Sequence, residues 1–599
     1  MRVAVAVGPG GGGLLCPLGD DGMPTGPAEE VADLAKAIAA RERAQAPRWI
    51  WAATTRLYPP LLAAGVRVAR CHDLELVESL LLAYQGRYGE PRSVRAALAR
   101  LTGSPVPADP VAVPADAQPT LFDDLSDVPA DPADTPPPGG AEPGGRGDAV
   151  RGRVGAGGGG PAGGLGAAEE LAAVLAVYRE QARRMAATEH ADRLPLLAAA
   201  ESAGGLVAAE MRHGGLPWRA EVHDALISDL LGPRPGPGMR PRKLQVLADR
   251  ISAEFGRPVN PDSPAQLTKA FAAAGFSVPS TRAHVLREVD HPAVPALLEY
   301  KELVRLWTAH GWSWLDAWAE RDGRFRPEYV VGGVVSGRWA SNGGGALQIP
   351  KVLRRAVVAD PGWKLVVADA AQLEPRVLAA LAGDRAFASA AAHGDLYAAL
   401  AHVFEQAGGP RAPAPHGTQD GGSRGGRDKA KIALLSAMYG GGTGDAVQLL
   451  GVLRQRFPQA YGYVEAAARD GEAGRLVRSR LGRTCPPPSP GWRDLVSGER
   501  GAAAMRSRGR FTRNFVVQAT AAEWALALLA TIRTHLADPA AVVFFQHDEV
   551  IVHTPAAAAE EVAGTIRAAA EEAGRLLFGR TQVVFPMEIA IVDCYADAK

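Results

Sequence analysis

The sequence predicts a multidomain chain of mixed α/β and α+β class, and three observations carry that prediction. Short apolar strands alternate with helical patterns near the N-terminus. A Pro-, Gly- and Ala-rich stretch then breaks the pattern, and a run of helices without strands follows it. In the C-terminal half, two apolar strand runs end at carboxylates. Lys364–Asp369 reads KLVVAD, and Val542–His553 reads VVFFQHDEVIVH.

Composition sets the frame. The 599 residues have room for several domains. A hydrophobic fraction of 47% and a charged fraction of 22% are those of a soluble globular protein. No apolar run reaches the length of about 18 residues that a membrane span needs, so no membrane partner is expected. Met1-Arg2 and the short strand after it make a poor signal peptide. Cys16, Cys71, Cys485 and Cys594 are scattered without CxxC spacing, which speaks against a disulfide framework or zinc site and suits a reducing cytoplasm. The 65 basic and 65 acidic residues balance, so net charge gives no sign of a nucleic-acid partner. Their distribution does. From Arg475 to Arg513, ten arginines meet only Asp494 and Glu499, a composition suited to phosphates.

Residues 1–102 read as an α/β module. Strands are expected at Arg2–Ala6, Trp49–Ala52 and Val66–Ala69, and helices over Ala28–Arg43, Leu74–Tyr84 and Ser93–Leu101. The glycine run Gly8–Gly13 is read as a flexible turn, because no Lys-Ser/Thr follows to make a phosphate loop. Residues 103–167 cannot bury a core and read as a disordered linker. Residues 168–193 carry a helix over Glu169–Ala187. Residues 194–331 carry helical patterns at Leu194–Arg212, Arg219–Leu231, Lys243–Phe255, Ser263–Ala274 and Val294–Trp307, which suits an elongated arm. Residues 332–599 hold the two acid-tipped strands.

The chemistry gathers there. In VVFFQHDEVIVH two short strands meet at a turn holding His547, Asp548 and Glu549, and Asp369 ends the other strand. Two strand-end aspartates can share a pair of divalent metals, the arrangement used in phosphoryl and nucleotidyl transfer. In Arg427–Gly440, residues Arg427, Lys431, Leu435 and Tyr439 fall four apart and share one helix face. There two cations can grip a triphosphate, beside a surface for sugar or base. Arg510, Asn514 and Gln518 form a second such line on an otherwise apolar helix. Asn and Gln can donate to the acceptors every base pair shows in the minor groove.

Taken in order, these segments resemble the polymerase domain of family A DNA polymerases, the bacterial DNA polymerase I group, from Gly332 to Lys599. Ser336–Asn342 (SGRWASN) with Leu347–Pro350 (LQIP) is similar to the family's TGRLSS…LQNIP segment. Asp369–Asp384 resembles motif A, and Gly394-Asp-Leu-Tyr397 the short segment beyond it. RDKAKIALLSAMYG resembles the R-x3-K-x7-YG finger helix, and Arg510–Glu523 and QHDE complete the set. The resemblance implies a right-hand architecture of thumb, palm and fingers. The helical arm with Leu298–Leu303 would be the thumb, and the N-terminal region an RNase H-like 3′–5′ exonuclease-type domain.

It also implies template-directed addition of deoxynucleoside triphosphates to a primer 3′ end, in DNA replication and repair. Asp369 and Asp548, with the Ala370 carbonyl, would hold two Mg²⁺ ions, Mn²⁺ being an expected substitute. Lys431 would serve pyrophosphate release, with Glu549 among the catalytic acids. Arg427, Lys431, Leu435, Tyr439, Gln372 and Glu374 would bind the nucleotide, Glu374 by crowding the sugar 2′ position. Arg338, Arg510, Asn514, Gln518 and His547 would contact primer-template DNA. Within the linker, Gln118, Leu121 and Phe122 form a Q-x-x-L-F peptide resembling those that dock on the sliding clamp. A monomer in the cytoplasm, associated with the nucleoid, is expected.

The departures from the family pattern are specific. Ala370 stands where the family has an aromatic, Leu435 where it has Phe or Tyr, and Tyr397 where it has His. Pro375 interrupts the start of a helix, and Gly408–Gly426 is an insertion. Less stacking at Leu435 predicts a high KM or altered sugar discrimination. The first strand, RVAVAVGPG, lacks the exonuclease Asp-x-Glu, with Asp73 and Glu169 or Glu170 as the remaining candidate acids. An inactive exonuclease-like domain is therefore expected, together with the absence of the family's 5′ nuclease domain. Two alternatives stay open here: a bifunctional 3′–5′ exonuclease/DNA polymerase, and a DNA-binding repair factor with a vestigial polymerase site.

Overall fold

The computed structural model describes residues 1–110, 166–319, 321–392, 395–406 and 445–598, with Lys431, Leu434 and Met438 between them. Gln118, Leu121, Phe122, Arg427, Leu435 and Tyr439 lie outside the described residues.

The N-terminal sheet follows from residues that alternate between two covered faces. Its strands are β1 (Arg2–Val7), β2 (Gly13–Leu18), β3 (Glu29–Val31), β4 (Arg48–Trp51) and β5 (Arg70–Asp73), in the order β3-β2-β1-β4-β5. β1 runs antiparallel to β2, and β2 to β3, while β1, β4 and β5 are parallel. Val3, Val5, Trp49 and Trp51 pack on one face with α1 (Leu34–Gln45) and α2 (Thr54–Ala63). Ala4, Ala6 and Ile50 pack on the other with α4 (Val94–Thr102) and α5 (Ala167–Ala186). Successive side chains point to opposite faces, and both faces are covered, so the strands read as continuous apolar runs.

Three sequence expectations change. The helix expected over Ala28–Arg43 begins only at Leu34, because the Asp33 side chain accepts from the Lys36 N–H and caps it, leaving Glu29–Val31 to pair as β3. The strand expected at Val66–Ala69 is Arg70–Asp73. Val66 and Val68 instead close the loop after α2 into the core, and Asp73 ends the strand as the N-cap of α3 (Leu74–Tyr84). The strand Gly13–Leu18 was not anticipated, since Gly and Pro in GLLCPL mask its pattern.

α6 (Leu194–Gly214) packs against α2 and β5 on the N-terminal side and against the long C-terminal helix described below. The arm comprises α7 (Ala220–Leu231), α8 (Arg242–Glu254), α9 (Pro264–Ala273), α10 (Ala283–Leu286), α11 (Ala293–His310) and α12 (Trp312–Trp318), α8 packing along α11. Two short pairs follow: β6 (Leu216–Pro217) with β7 (Arg324–Phe325), and β8 (Glu328–Val330) with β9 (Ala340–Asn342).

The second sheet has four antiparallel strands, β10 (Trp363–Ala370), β11 (Ala541–Gln546), β12 (Glu549–Pro555) and β13 (Met587–Val592), in the order β11-β12-β10-β13. Leu365–Ala368 and Val550–Val552 are buried throughout. Around it lie α13 (Leu373–Ala382), α14 (Arg385–Ala391), α15 (Leu396–Gln406), α16 (Asp445–Arg456), α17 (Pro458–Glu472), α18 (Trp492–Ser497), α19 (Gly501–His535) and α20 (Ala559–Phe578). α6 and α19 are long and apolar enough to cross a membrane by composition, but the apolar windows are 67% and 89% buried inside the protein, so they are core helices.

The arginine-rich block does not form one face. Arg475 pairs with Asp470, Arg483 with Glu201 and Arg513 with Glu465. Arg478 lies over Tyr84, and Arg480 donates to the Leu577 carbonyl. Arg493, Arg500 and Arg506 remain exposed. Periodicity along one segment could not reveal this, because most of the partners lie far away in sequence.

Glu523 of α19 is fully buried and accepts from the Ser479 hydroxyl and, at 3.0 Å, from the Leu481 N–H. Burial pushes its pKa up to about 7. A carboxyl raised in the folded state contributes stability that is complete below its unfolded value and is lost as pH rises through about 7. Glu523→Gln is expected to flatten the fall in thermal stability between about pH 5 and pH 8.5 by roughly 3 kcal/mol. Urea unfolding across that range checks it. Glu75, also raised to about 7 by burial, leaves a residual slope.

Candidate active site

The site is built where β10 ends beside the β11–β12 turn. Asp369 stands directly opposite Glu549 on β12 and Glu588 on β13, a cross-strand row of three carboxyl groups. The Ala370 N–H donates to the Asp548 carbonyl at 3.0 Å, which fixes the turn against the strand end. Gln546 and Glu549 pair across it, leaving His547 and Asp548 as a two-residue connection. His547 is left-handed at φ 58°, a conformation that costs a non-glycine residue on the order of 1 kcal/mol. Gln372, three residues after Asp369, is left-handed too, at φ 56°. Two of the three non-glycine residues with positive φ among those described thus flank the two aspartates.

Packing maintains these conformations. The Gln372 amide donates to Asp395 Oδ1 at 2.9 Å, and its carbonyl accepts from the Leu396 N–H at 2.9 Å. The buried Arg376 guanidinium donates to the carbonyls of Ala371, Ala391 and Val584. Gln546 Nε2 donates to the Leu347 carbonyl, joining the turn to the Leu347–Pro350 segment. Trp339 packs edge-on against Phe545 at 4.9 Å, which seats the Arg338 loop on β11.

Electrostatics follow from burial. Asp548 is pushed up to about 7, by desolvation first, then by the Asp369 and Glu374 carboxyl groups, against the opposing pull of Arg338. Arg338 forms an ion pair with Glu374. His547 is lowered to about 4, by burial and then by Arg338, so its ring is neutral at physiological pH. An Asp548 carboxyl whose ionisation is opposed by burial and by Asp369 beside it is a fit for a divalent cation. Hard oxygen donors in small number suit Mg²⁺, which keeps positions for water and substrate phosphate. Among the described residues no group of three or more His, Cys, Asp or Glu side chains forms a ready-made metal cage.

The remaining predicted residues divide. Glu549 is buried and accepts from the Tyr595 hydroxyl. Asn514 and Gln518 are buried on α19, the Asn514 Oδ1 without a hydrogen-bond partner, and Arg510 is half-buried. Lys431 is exposed on its helix, and its line-mates are outside the described residues. Sequence reasoning missed Asp395, Arg376, Tyr595 and Glu588. Asp395 had a signal, since it lies inside the Gly394–Tyr397 segment, whereas the others are defined only by partners distant in sequence.

The N-terminal sheet also ends in acids, but they are engaged differently. Asp73 accepts from the N–H groups of Thr54 (2.7 Å) and Leu76 (2.9 Å). Glu75 pairs with Arg56 at 2.9 Å, and Glu169 accepts from the Gly166 N–H.

Comparison with known proteins gives the family. The model of DNA polymerase family A matches residues 240–596. DNA polymerase I of Chloroflexus aurantiacus is 27% identical over 367 residues, 54% of this chain and 36% of the relative. The thermostable DNA polymerase I of Thermus thermophilus is 29% identical over 309 residues, 49% of this chain and 36% of the relative. The chain thus spans little more than a third of the length of these curated relatives. The POL domain of Pol1 from M. smegmatis, in a complex with DNA primer-template and dNTP, superposes with a TM-score of 0.59 at 20% identity, over 72% of this chain and 75% of that one.

Two substitutions should move metal-free stability in opposite directions. Asp548→Asn removes a like charge from beside Asp369 and Glu374 and is expected to raise the melting temperature at about pH 8. Arg338→Ala removes the Arg338–Glu374 ion pair and is expected to cost about 1–3 kcal/mol. Calorimetry in chelator checks both signs, and a lower melting temperature for Asp548→Asn would contradict the like-charge account.

Proposed function

The chain belongs to DNA polymerase family A, and from that premise we propose that it is a template-directed DNA polymerase acting in DNA replication and repair. The observation that carries this reading is the pairing of Asp369 with Asp548 at one strand end, with Arg338, Glu374 and the strained His547 turn around them.

In this reading Asp369 and Asp548, with the Ala370 carbonyl, would hold two Mg²⁺ ions. Mn²⁺ is accepted in their place, as expected of oxygen-ligand sites. Bound there, the ions would supply Lewis-acid activation of the primer 3′ hydroxyl and charge neutralisation of the triphosphate. The chain's own residues orient the reactants. Arg427 and Lys431 grip the phosphates, and Lys431 supplies a proton or a positive charge as pyrophosphate leaves. Leu435 and Tyr439 offer the nucleotide an apolar surface, and Glu374, steadied by Arg338, crowds the sugar 2′ position. Gln372 positions the start of α13 through Asp395, one step removed from the nucleotide. Glu549, bonded to Tyr595, supports the turn that presents Asp548. Arg338, Arg510, Asn514, Gln518 and the neutral His547 ring contact the primer-template, the orphaned Asn514 Oδ1 being an acceptor suited to a base donor.

The strand order β3-β2-β1-β4-β5, with only β2 running against the others, supports an RNase H-like, exonuclease-type origin for the N-terminal domain. Asp73 as a helix cap and Glu75 in an ion pair support its having become a scaffold without nuclease activity. Residues 194–331 with the arm would be the thumb, and 332–599 the palm and fingers. A monomer in the cytoplasm is proposed, and clamp docking through Gln118–Phe122 stays a sequence-based proposal.

Primer extension on gapped DNA with Mg²⁺ and four deoxynucleotides tests the function. Asp548→Ala is expected to lose about 10³-fold in incorporation, several kcal/mol of charge stabilisation. Full activity in that variant, or no extension by wild type despite tight DNA binding, would favour a vestigial DNA-binding site. Release of a labelled 3′ nucleotide would favour the bifunctional alternative.

A further inference from the structure

A cavity of about 590 Å³ lies between the proline-rich turn after Cys485, α18 and the first half of α19, and the roles assigned above leave it unused. Pro488, Trp492 and Leu495 line it from one segment, and Ala504, Arg508 and Phe511 from α19. Its aromatic wall is held in place. Gly474, at φ +73°, lies so close that an added Cβ would meet the Trp492 ring at 3.0 Å. The Arg508 guanidinium sits 5.1 Å from the Phe511 ring centroid and donates to the Pro486 carbonyl. The Trp492 indole N–H is buried without a hydrogen-bond partner, a donor that a ligand acceptor would satisfy.

The surroundings identify the occupant. Leu495 is 48% exposed at the rim. Arg493, Arg500 and Arg506 are exposed beside it, and Asp494 and Glu499 are the two carboxylates of the same stretch. Phe511 at the end of the cavity packs 6.1 Å from Phe515 on α19, the helix that also carries the proposed DNA contacts Arg510, Asn514 and Gln518. Rigid aromatic surfaces with interleaved arginines are the means by which proteins hold single-stranded nucleic acid, stacking bases and tracking phosphates.

We propose that this cavity is a stacking site for an unpaired base of the template strand beyond the primer-template junction, with Trp492 as platform and Arg493, Arg500 and Arg506 as phosphate contacts. The proposal rests on the polymerase reading and extends it to a site away from the palm.

Fluorescence anisotropy with the full chain tests it, using a blunt duplex and the same duplex with a template overhang of about ten nucleotides. Wild type should prefer the overhang. Trp492→Ala should weaken overhang binding by roughly tenfold and leave blunt binding unchanged. Trp492→Phe should keep most of the preference. The pair Arg493→Glu and Arg506→Glu should lower overhang affinity and its salt dependence, which carries the test if Trp492→Ala fails to fold. Equal loss on both probes, or no loss, overturns the proposal. So does tight, Trp492-dependent binding of a labelled acidic peptide with no overhang preference, which would make the cavity a peptide site. Primer extension by wild type on the overhang probe is read in parallel. Its absence would sink the polymerase reading, while the overhang preference still decides the cavity.

Discussion

The second sheet depends on holding two carboxyl groups together at its buried edge. Burial raises the cost of ionising Asp548, and the neighbouring Asp369 carboxyl adds to it. Left alone, that repulsion would push the β11–β12 turn away from the end of β10. Three features oppose it: the Ala370 N–H bond to the Asp548 carbonyl, the cross-strand pairing of Asp369 with Glu549, and the positive charge of Arg338. The left-handed backbone at His547 and Gln372 is stored strain of the kind that persists only where packing over-determines it. A cation binding between the aspartates would relieve the repulsion, so the same feature that costs stability supplies affinity.

That arrangement needs a rigid support, and α19 provides it. Its apolar length is buried against α17, α6, α13 and α20. At its last turn Arg533 donates to the Val68 and Ala69 carbonyls and pairs with Glu210 of α6 at 2.7 Å. Glu210 also accepts from the Tyr58 hydroxyl and pairs with Arg67. A buried ion pair of this kind is weak as net stability but costly to break from one side. It therefore ties the N-terminal sheet to the C-terminal half in one register. An N-terminal domain whose acids serve as caps and ion-pair partners still has a structural reason to be retained.

The loop before β9 shows how distant segments converge on one residue. An added Cβ at Gly337 would collide with the Arg483 guanidinium, which is itself paired with Glu201 on α6. Only glycine, at φ +86°, allows that approach. Arg338 is thereby held where it reaches Glu374, although Arg483 and Glu201 are far from it in the chain.

Strand-end acids and helical periodicities were legible without any structure. KLVVAD folds as one apolar strand running into Asp369, and VVFFQHDEVIV as two apolar strands meeting at the His547–Asp548 turn, because burial demands apolar runs whatever their partner. The lines Arg510–Asn514–Gln518 and Lys431 likewise fell on helices, since a period of 3.6 is a local property. What stayed hidden was everything set by partners across the fold. The ten arginines read as one basic surface, yet several of them are paired with Glu201, Glu465 and Asp470 or donate to backbone carbonyls. Asp73 read as a candidate catalytic acid and became a helix cap. The shift of Asp548 to about 7 needed Asp369, nearly two hundred residues away, to be brought alongside. Local pattern determines which residues end a strand. Only long-range packing decides which charges meet there, because Coulomb and desolvation energies depend on distance in space rather than along the chain.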